Sequence, residues 1–137
     1  MTNVLKYENI QIEEKRVPET RVIIYQEDDR TVPLLEWLDD LPEKVRLKCL
    51  ARIERLKQEG HALRRPEADF LREKIYELRV GFNGINYRML YFFHGNVAAV
   101  LTHGIVKEDK VPSREIDRAI ERMRKFESDP EAHTYRE

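Results

Sequence analysis

REKIYELRVGFNGINYRMLYFFHGNVAAVLTHGIVKEDKVP, residues 72–112, decides the fold. Three runs rich in Tyr, Leu, Val, Ile and Phe are separated by short Gly, Asn and His turn signals, the pattern of an antiparallel meander. In the first run Tyr76, Leu78 and Val80 share one face, and Ile75, Glu77 and Arg79 share the other. In the second, Asn86, Arg88, Leu90 and Phe92 alternate with Ile85, Tyr87, Met89, Tyr91 and Phe93. The third, Val97 to Val106, is almost wholly apolar until His103 and reads as a strand buried on both sides. Arg79 and Arg88 stand inside these hydrophobic runs. A cation in such a place needs a carboxylate partner, an exit to the rim, or an anion to hold.

Upstream, RVIIYQ (Arg21 to Gln26) is β-branched and reads as a strand ended by Glu27, Asp28 and Asp29. Thr31 can cap a helix that Pro33 helps to start. Leu34, Trp37, Leu38 and Leu41 fall on one helical stripe, Pro42 restarts the pattern, and Val45, Cys49, Ile53 and Leu56 form a second stripe before a stop at Gly60. His61 to Asp69 reads as a loop. Downstream, Pro112 opens a helix whose stripe is Ile116, Ala119, Ile120 and Met123, with Phe126 at its end. The order is β-α-α-β-β-β-α: an α+β domain with a small antiparallel sheet and a helical hairpin packed on one face. The domain spans residues 21–127. A partly ordered extension (1–20) precedes it, and a polar tail (128–137) that is expected to fray follows it.

At 137 residues the chain fits one domain with a real core. It has no run of eighteen or more apolar residues, so no membrane span is expected. Its N-terminal stretch has no apolar segment of the secretory kind, and the expected location is cytoplasmic. The lone Cys49 excludes an internal disulfide and reads as inert core. Charge is uneven: residues 1–60 carry 11 Lys/Arg against 13 Asp/Glu, residues 61–125 carry 13 against 9, and the tail carries 1 against 4. A mildly basic centre fits a phosphate-bearing partner, although a protein holding nucleic acid by charge alone is usually more basic.

The phrases LLEWLDDLP, YELRV, INYRMLYFF and LTHGIVKEDKVPSREIDRAIER, in that order, resemble the RelE/ParE toxin superfamily, and within it the phage-derived HigB-like branch of type II toxin–antitoxin systems. The resemblance implies a small sheet with a helical hairpin packed on it, and a cognate antitoxin, often of the helix-turn-helix type. It also implies a metal-independent endoribonuclease acting on mRNA, in many members on the ribosome. In that chemistry a 2′-hydroxyl attacks the adjacent phosphate, and fixed cations stabilise the charge that builds on the phosphoryl oxygens. The same resemblance covers two alternatives: a ParE-like toxin that inhibits DNA gyrase without nuclease chemistry, and a degenerate non-catalytic relative.

Carried over residue by residue, Arg79 and Arg88 match the arginines of the YELR and YR strands and would clamp the scissile phosphate. Lys107 matches the first lysine of a pair whose second position here is Glu108, a departure from the family pattern. The acidic Asp-Tyr-His type ending of better-known HigB proteins has no counterpart. His103 is the acid/base candidate by residue type, with His94 behind it. Arg64, Arg65 and Lys110 are candidates to follow an RNA backbone, and Tyr91 to contact a base. Each has a plainer reading: the arginines pair with Glu77, Glu73 or acids of the hairpin, His103 is a structural histidine, and the strand aromatics are core. The four histidines and Cys49 show no ligand spacing, so neither a metal nor a cofactor is expected.

Overall fold

The computed structural model describes residues 19–106 and 109–137, so most of the extension read at 1–20 lies outside the described residues. The elements are β1 (Arg21–Ile24), α1 (Pro33–Asp39), α2 (Glu43–Glu59), a single 3-10 turn (Gly60–Ala62), β2 (Ala68–Arg72), β3 (Ile75–Phe82), β4 (Ile85–His94), β5 (Ala98–Val106) and α3 (Ser113–Ser128). The strands form one sheet in the order β1-β5-β4-β3-β2. The α+β class holds, but the sheet is mixed: β2 to β5 run antiparallel, and β1 joins β5 in parallel. The strand β2 is the second difference, since it takes in Ala68 and Asp69 of the expected loop. ADFLR is five residues long, two of them charged, and its pairing with β3 supplies what its own pattern lacks.

The register follows from the turns. Asn83 and Gly84 both take positive φ (51° and 77°), the requirement of a two-residue hairpin turn whose twist matches the strands. That turn pairs Phe82 with Ile85 and, counting back, Arg79 with Arg88. Glu73 and Lys74 (φ 47° and 74°) make the same kind of turn between β2 and β3.

The predicted alternation is borne out. Leu78, Val80, Tyr87, Met89 and Tyr91 pack under α1 and α2 with Leu34, Leu38, Val45, Cys49 and Leu56. Ile75, Leu90 and Phe92 pack on the other face with Ile116, Ala119, Ile120, Met123 and Phe126 of α3. Both faces are therefore covered, not one alone. In β5 a bulge at Thr102 shifts the phase, pairing Leu90 with His103 but Tyr91 with Leu101. Beyond it His103 and Ile105 face α3, while Gly104 turns toward α1. There a Cβ would sit 2.2 Å from the Trp37 ring, so glycine lets α1 lie directly on the strand.

Two local expectations fail. Val32, not Thr31, precedes α1, because Asp29 takes both the backbone N–H and the hydroxyl of Thr31. The tail does not fray. Thr134 bridges Tyr25, Tyr135 N–H donates to Ile24 O, and Gln26 N–H donates to His133 O. His133 is buried, its ring stacked on Tyr25 with centroids 5.4 Å apart. The tail thus closes over the end of β1, a set of contacts with no helical or strand period to announce it.

Among the described residues no helix is long and apolar enough to cross a membrane. Burial raises the Cys49 thiol to about 11, which keeps it protonated and unreactive, as expected. Gly104→Ala should destabilise the protein by about 1–3 kcal/mol through overpacking against Trp37. In a Trp37→Ala background most of that penalty should vanish, read by denaturant unfolding as a double-mutant cycle.

Candidate functional site

Arg79 and Arg88 lie directly opposite one another on β3 and β4, and both point to the α3 face. Between them lies Glu77, two residues before Arg79 on the same face of β3. Its side chain is 3% exposed as a residue, and a buried carboxylate has to be paired. Arg79 Nε donates to Glu77 Oε1 at 2.7 Å, and Arg88 Nε lies 3.1 Å from the same oxygen. Arg79 also reaches Asp69 Oδ2 from Nη2 at 3.2 Å. Arg88 donates from Nη1 to the backbone carbonyl of Asp109. Arg88 is itself buried, and its Nε has no hydrogen-bond partner of proper geometry. The plainer expectation, pairing with Glu77, is therefore met, and the arginines nevertheless share one hollow.

That hollow is a cleft of about 470 Å³ between β2, the β3–β4 pair, the segment Asp109 to Val111 and Ile116 of α3. Arg72, Arg79, Arg88 and Lys110 line it against Asp69, Glu77 and Asp109, so its side chains carry one net positive charge. Arg72 ties β2 to α3 through Asp117 Oδ1 at 2.5 Å and Ser113 Oγ at 3.1 Å. Asp69 is held below its ordinary value mainly by Arg65, which bonds it at 2.9 Å, with Arg79 adding to the effect. Two guanidiniums, each braced by a carboxylate at the bottom of a cleft, suit bidentate capture of a phosphodiester.

The other sequence candidates fall elsewhere. His103 does not line the cleft. It is buried under α3, within 3.0 Å of Thr102 Oγ1 through Nδ1 and 3.1 Å from Glu115 Oε1 through Nε2. Burial is the main cause of its depressed pKa, about 4, with Arg122 adding to it and Glu115 opposing. The enclosed imidazole has no opening to the cleft, which matches its plainer expectation of a buried, hydrogen-bonded histidine. Tyr91 is 1% exposed on the opposite face, stacked on Tyr76 with centroids 5.4 Å apart, so no base reaches it; burial also raises its phenol. His94 packs edge-on against Phe126. Arg64 and Arg65 are exposed, Arg64 bonding the carbonyls of His61 and Leu63 and Arg65 bonding Asp69. Lys110 is exposed at the cleft. Lys107 and Glu108 lie outside the described residues. Asp69 and Arg72 were missed, because only the pairing of β2 with β3 brings them to the cleft.

The His103 environment sets a pH dependence. Below about pH 6.5 the unfolded chain binds a proton on this imidazole that the folded chain refuses until about pH 4. Stability should therefore be complete above pH 6.5, fall as the pH drops through that window, and lose at most about 3 kcal/mol. In His103→Gln the slope of unfolding free energy between pH 6.5 and 5 should flatten.

No curated protein matches the chain. A family model does, described as Phage derived protein Gp49-like (DUF891), and it matches residues 36–124, from α1 to within α3. The match takes in Glu77, Arg79 and Arg88 together with Asp69 and Lys110. With well over half of the sequence matched and a small α+β fold of RelE-like kind, the chain belongs to the phage-derived Gp49-like family, a toxin-like family associated with RelE-type toxins.

Proposed function

We propose that the protein is the toxin of a type II toxin–antitoxin pair, of the HigB-like kind, and that it cleaves mRNA at the cleft between β2, β3, β4 and α3. The observation that carries this reading is the cross-strand pair Arg79–Arg88, in register, on one face, opening into one hollow. The 2′-hydroxyl of one nucleotide attacks the neighbouring phosphorus, the bond to the 5′-oxygen breaks, and a 2′,3′-cyclic phosphate forms. Arg79 and Arg88 hold the non-bridging oxygens as their charge grows. Proton acceptance from the 2′-hydroxyl falls to a carboxylate of the cleft, Glu77 or Asp69, in place of His103, and solvent water protonates the departing 5′-oxygen. Lys110 adds a cation at the mouth, and Lys107 is a further candidate for that role. A toxin-like family implies an antitoxin partner, for which a helix-turn-helix protein is the expected type, and translating ribosomes are the expected place of action.

A second reading has one observation in its favour. Both guanidiniums already have acidic partners, so the cleft is nearly neutral, which suits a gyrase-inhibiting protein that needs no aligned acid and base. Two assays on one preparation separate the readings. Arg79→Ala and Arg88→Ala should each reduce mRNA cleavage by about 10²–10³-fold, as loss of a transition-state donor does, and should relieve growth arrest while the unfolding transition persists. Full cleavage in both variants contradicts the site. Inhibition of DNA relaxation without cleavage by the wild type contradicts the nuclease reading.

A further inference from the structure

A second hollow of about 380 Å³ lies on the hairpin side of the β2 edge, lined by His61, Phe70, Glu73, Lys74, Tyr76 and Phe93, with Gly95 at one end. Its walls are aromatic. The His61 and Phe93 rings stack with centroids 3.6 Å apart, Tyr76 meets Phe93 edge-on at 5.3 Å, and Phe70 meets Tyr76 edge-on at 5.3 Å. Phe70 is 52% exposed, an unusual state for a phenylalanine on a strand. It is also the residue the two hollows have in common, since it lines the arginine cleft as well.

We propose that this aromatic hollow is a nucleobase site: it takes an unpaired base of the same RNA strand whose phosphate sits at Arg79 and Arg88. The inference rests on the nuclease reading and adds to it a subsite that sets sequence preference. Phe70 stands on the edge strand, its neighbours Asp69 and Leu71 belonging to the opposite side, so a single strand crossing β2 passes from one hollow to the other. Exposed aromatic faces bind bases by stacking, whatever the base. The rim adds discrimination, because the Glu73 carboxylate accepts from an exocyclic amine and the Lys74 ammonium donates to a ring carbonyl or nitrogen. Arg72, on β2, places a cation on the cleft side of the crossing. An apolar peptide side chain would use the aromatic walls but would not explain why they connect to a cleft built around guanidiniums.

The test is fluorescence anisotropy with a labelled, unpaired hexaribonucleotide carrying 2′-O-methyl sugars, which bind without being cut. Phe70→Ala, at a half-exposed position, should weaken binding about tenfold with the same salt dependence as the wild type. An abasic nucleotide at one position of the probe should cost the wild type a similar factor and cost Phe70→Ala nothing. Arg88→Ala should instead lower the salt slope. Wild-type affinity in Phe70→Ala, or no abasic position that matters, overturns the base site, and a weakened Arg88→Ala would then leave the phosphodiester reading intact. Failure of the wild type to bind the probe overturns the base site, and the mRNA cleavage assay then decides the nuclease reading separately. Unchanged RNA binding with loss of antitoxin binding in Phe70→Ala overturns the base site in favour of a peptide one.

Discussion

One carboxylate, Glu77, holds two guanidinium groups from adjacent strands. A carboxylate so deeply buried would be driven to neutrality or would unfold the site if left alone, and removing one member of a buried ionic group typically costs about 3–5 kcal/mol. Glu77 escapes that penalty because the Asn83–Gly84 turn sets Arg79 opposite Arg88, and both side chains converge on the oxygen between them. The arrangement is a structural necessity and a chemical opportunity at once. The acid that makes the arginines tolerable in the sheet also fixes their direction, and their direction is into a cleft. In the proposed nuclease reading, phosphate oxygens arriving there would exchange one anionic partner for another and would not have to order two loose side chains.

The rest of the molecule can be read as support for this face. The bulge at Thr102 sends His103 toward Glu115, which pins α3 across the sheet at its first turn. Arg72 fastens the edge strand to the same turn through Asp117 and Ser113. On the far side Gly104 lets Trp37 sit on the strand, and α1 with α2 fills the remaining face. The tail locks the opposite edge, with His133 against Tyr25 and Arg122 of α3 bound to Glu27. His103 and His133 are both buried in packing contacts of this kind, and the cleft itself is lined by arginines, a lysine and carboxylates.

Much of this was legible in the sequence, and the limits have physical causes. Period-two alternation grouped Arg79 with Ile75 and Glu77, and Arg88 with Leu90 and Phe92, because each strand must bury one side under helices; the register that puts the two arginines on one face comes from the pairing of β3 with β4. The helix stripes and the stops at Pro42 and Gly60 were local and clear. What escaped depends on partners distant in the chain. The strand β1 pairs in parallel with a strand some 75 residues away, and no local pattern records that. ADFLR becomes a strand through β3, and with it Asp69, Phe70 and Arg72 reach the site. Residue type suggested His103 as acid or base, but residue type says nothing of a bulge or of an acidic helix turn above it. For Tyr91 the plainer reading as a core aromatic holds, because α1 and α2 cover its face of the sheet.

The most direct measurement of the central claim is an NMR titration of the arginine Nε–H signals with a non-hydrolysable dinucleotide phosphodiester. The account predicts that the Arg79 and Arg88 signals move together, saturably and with one dissociation constant, while those of Arg52 and Arg122, engaged elsewhere with Glu67 and Glu27, stay in place. Movement of only one of the pair, or of neither, would contradict it.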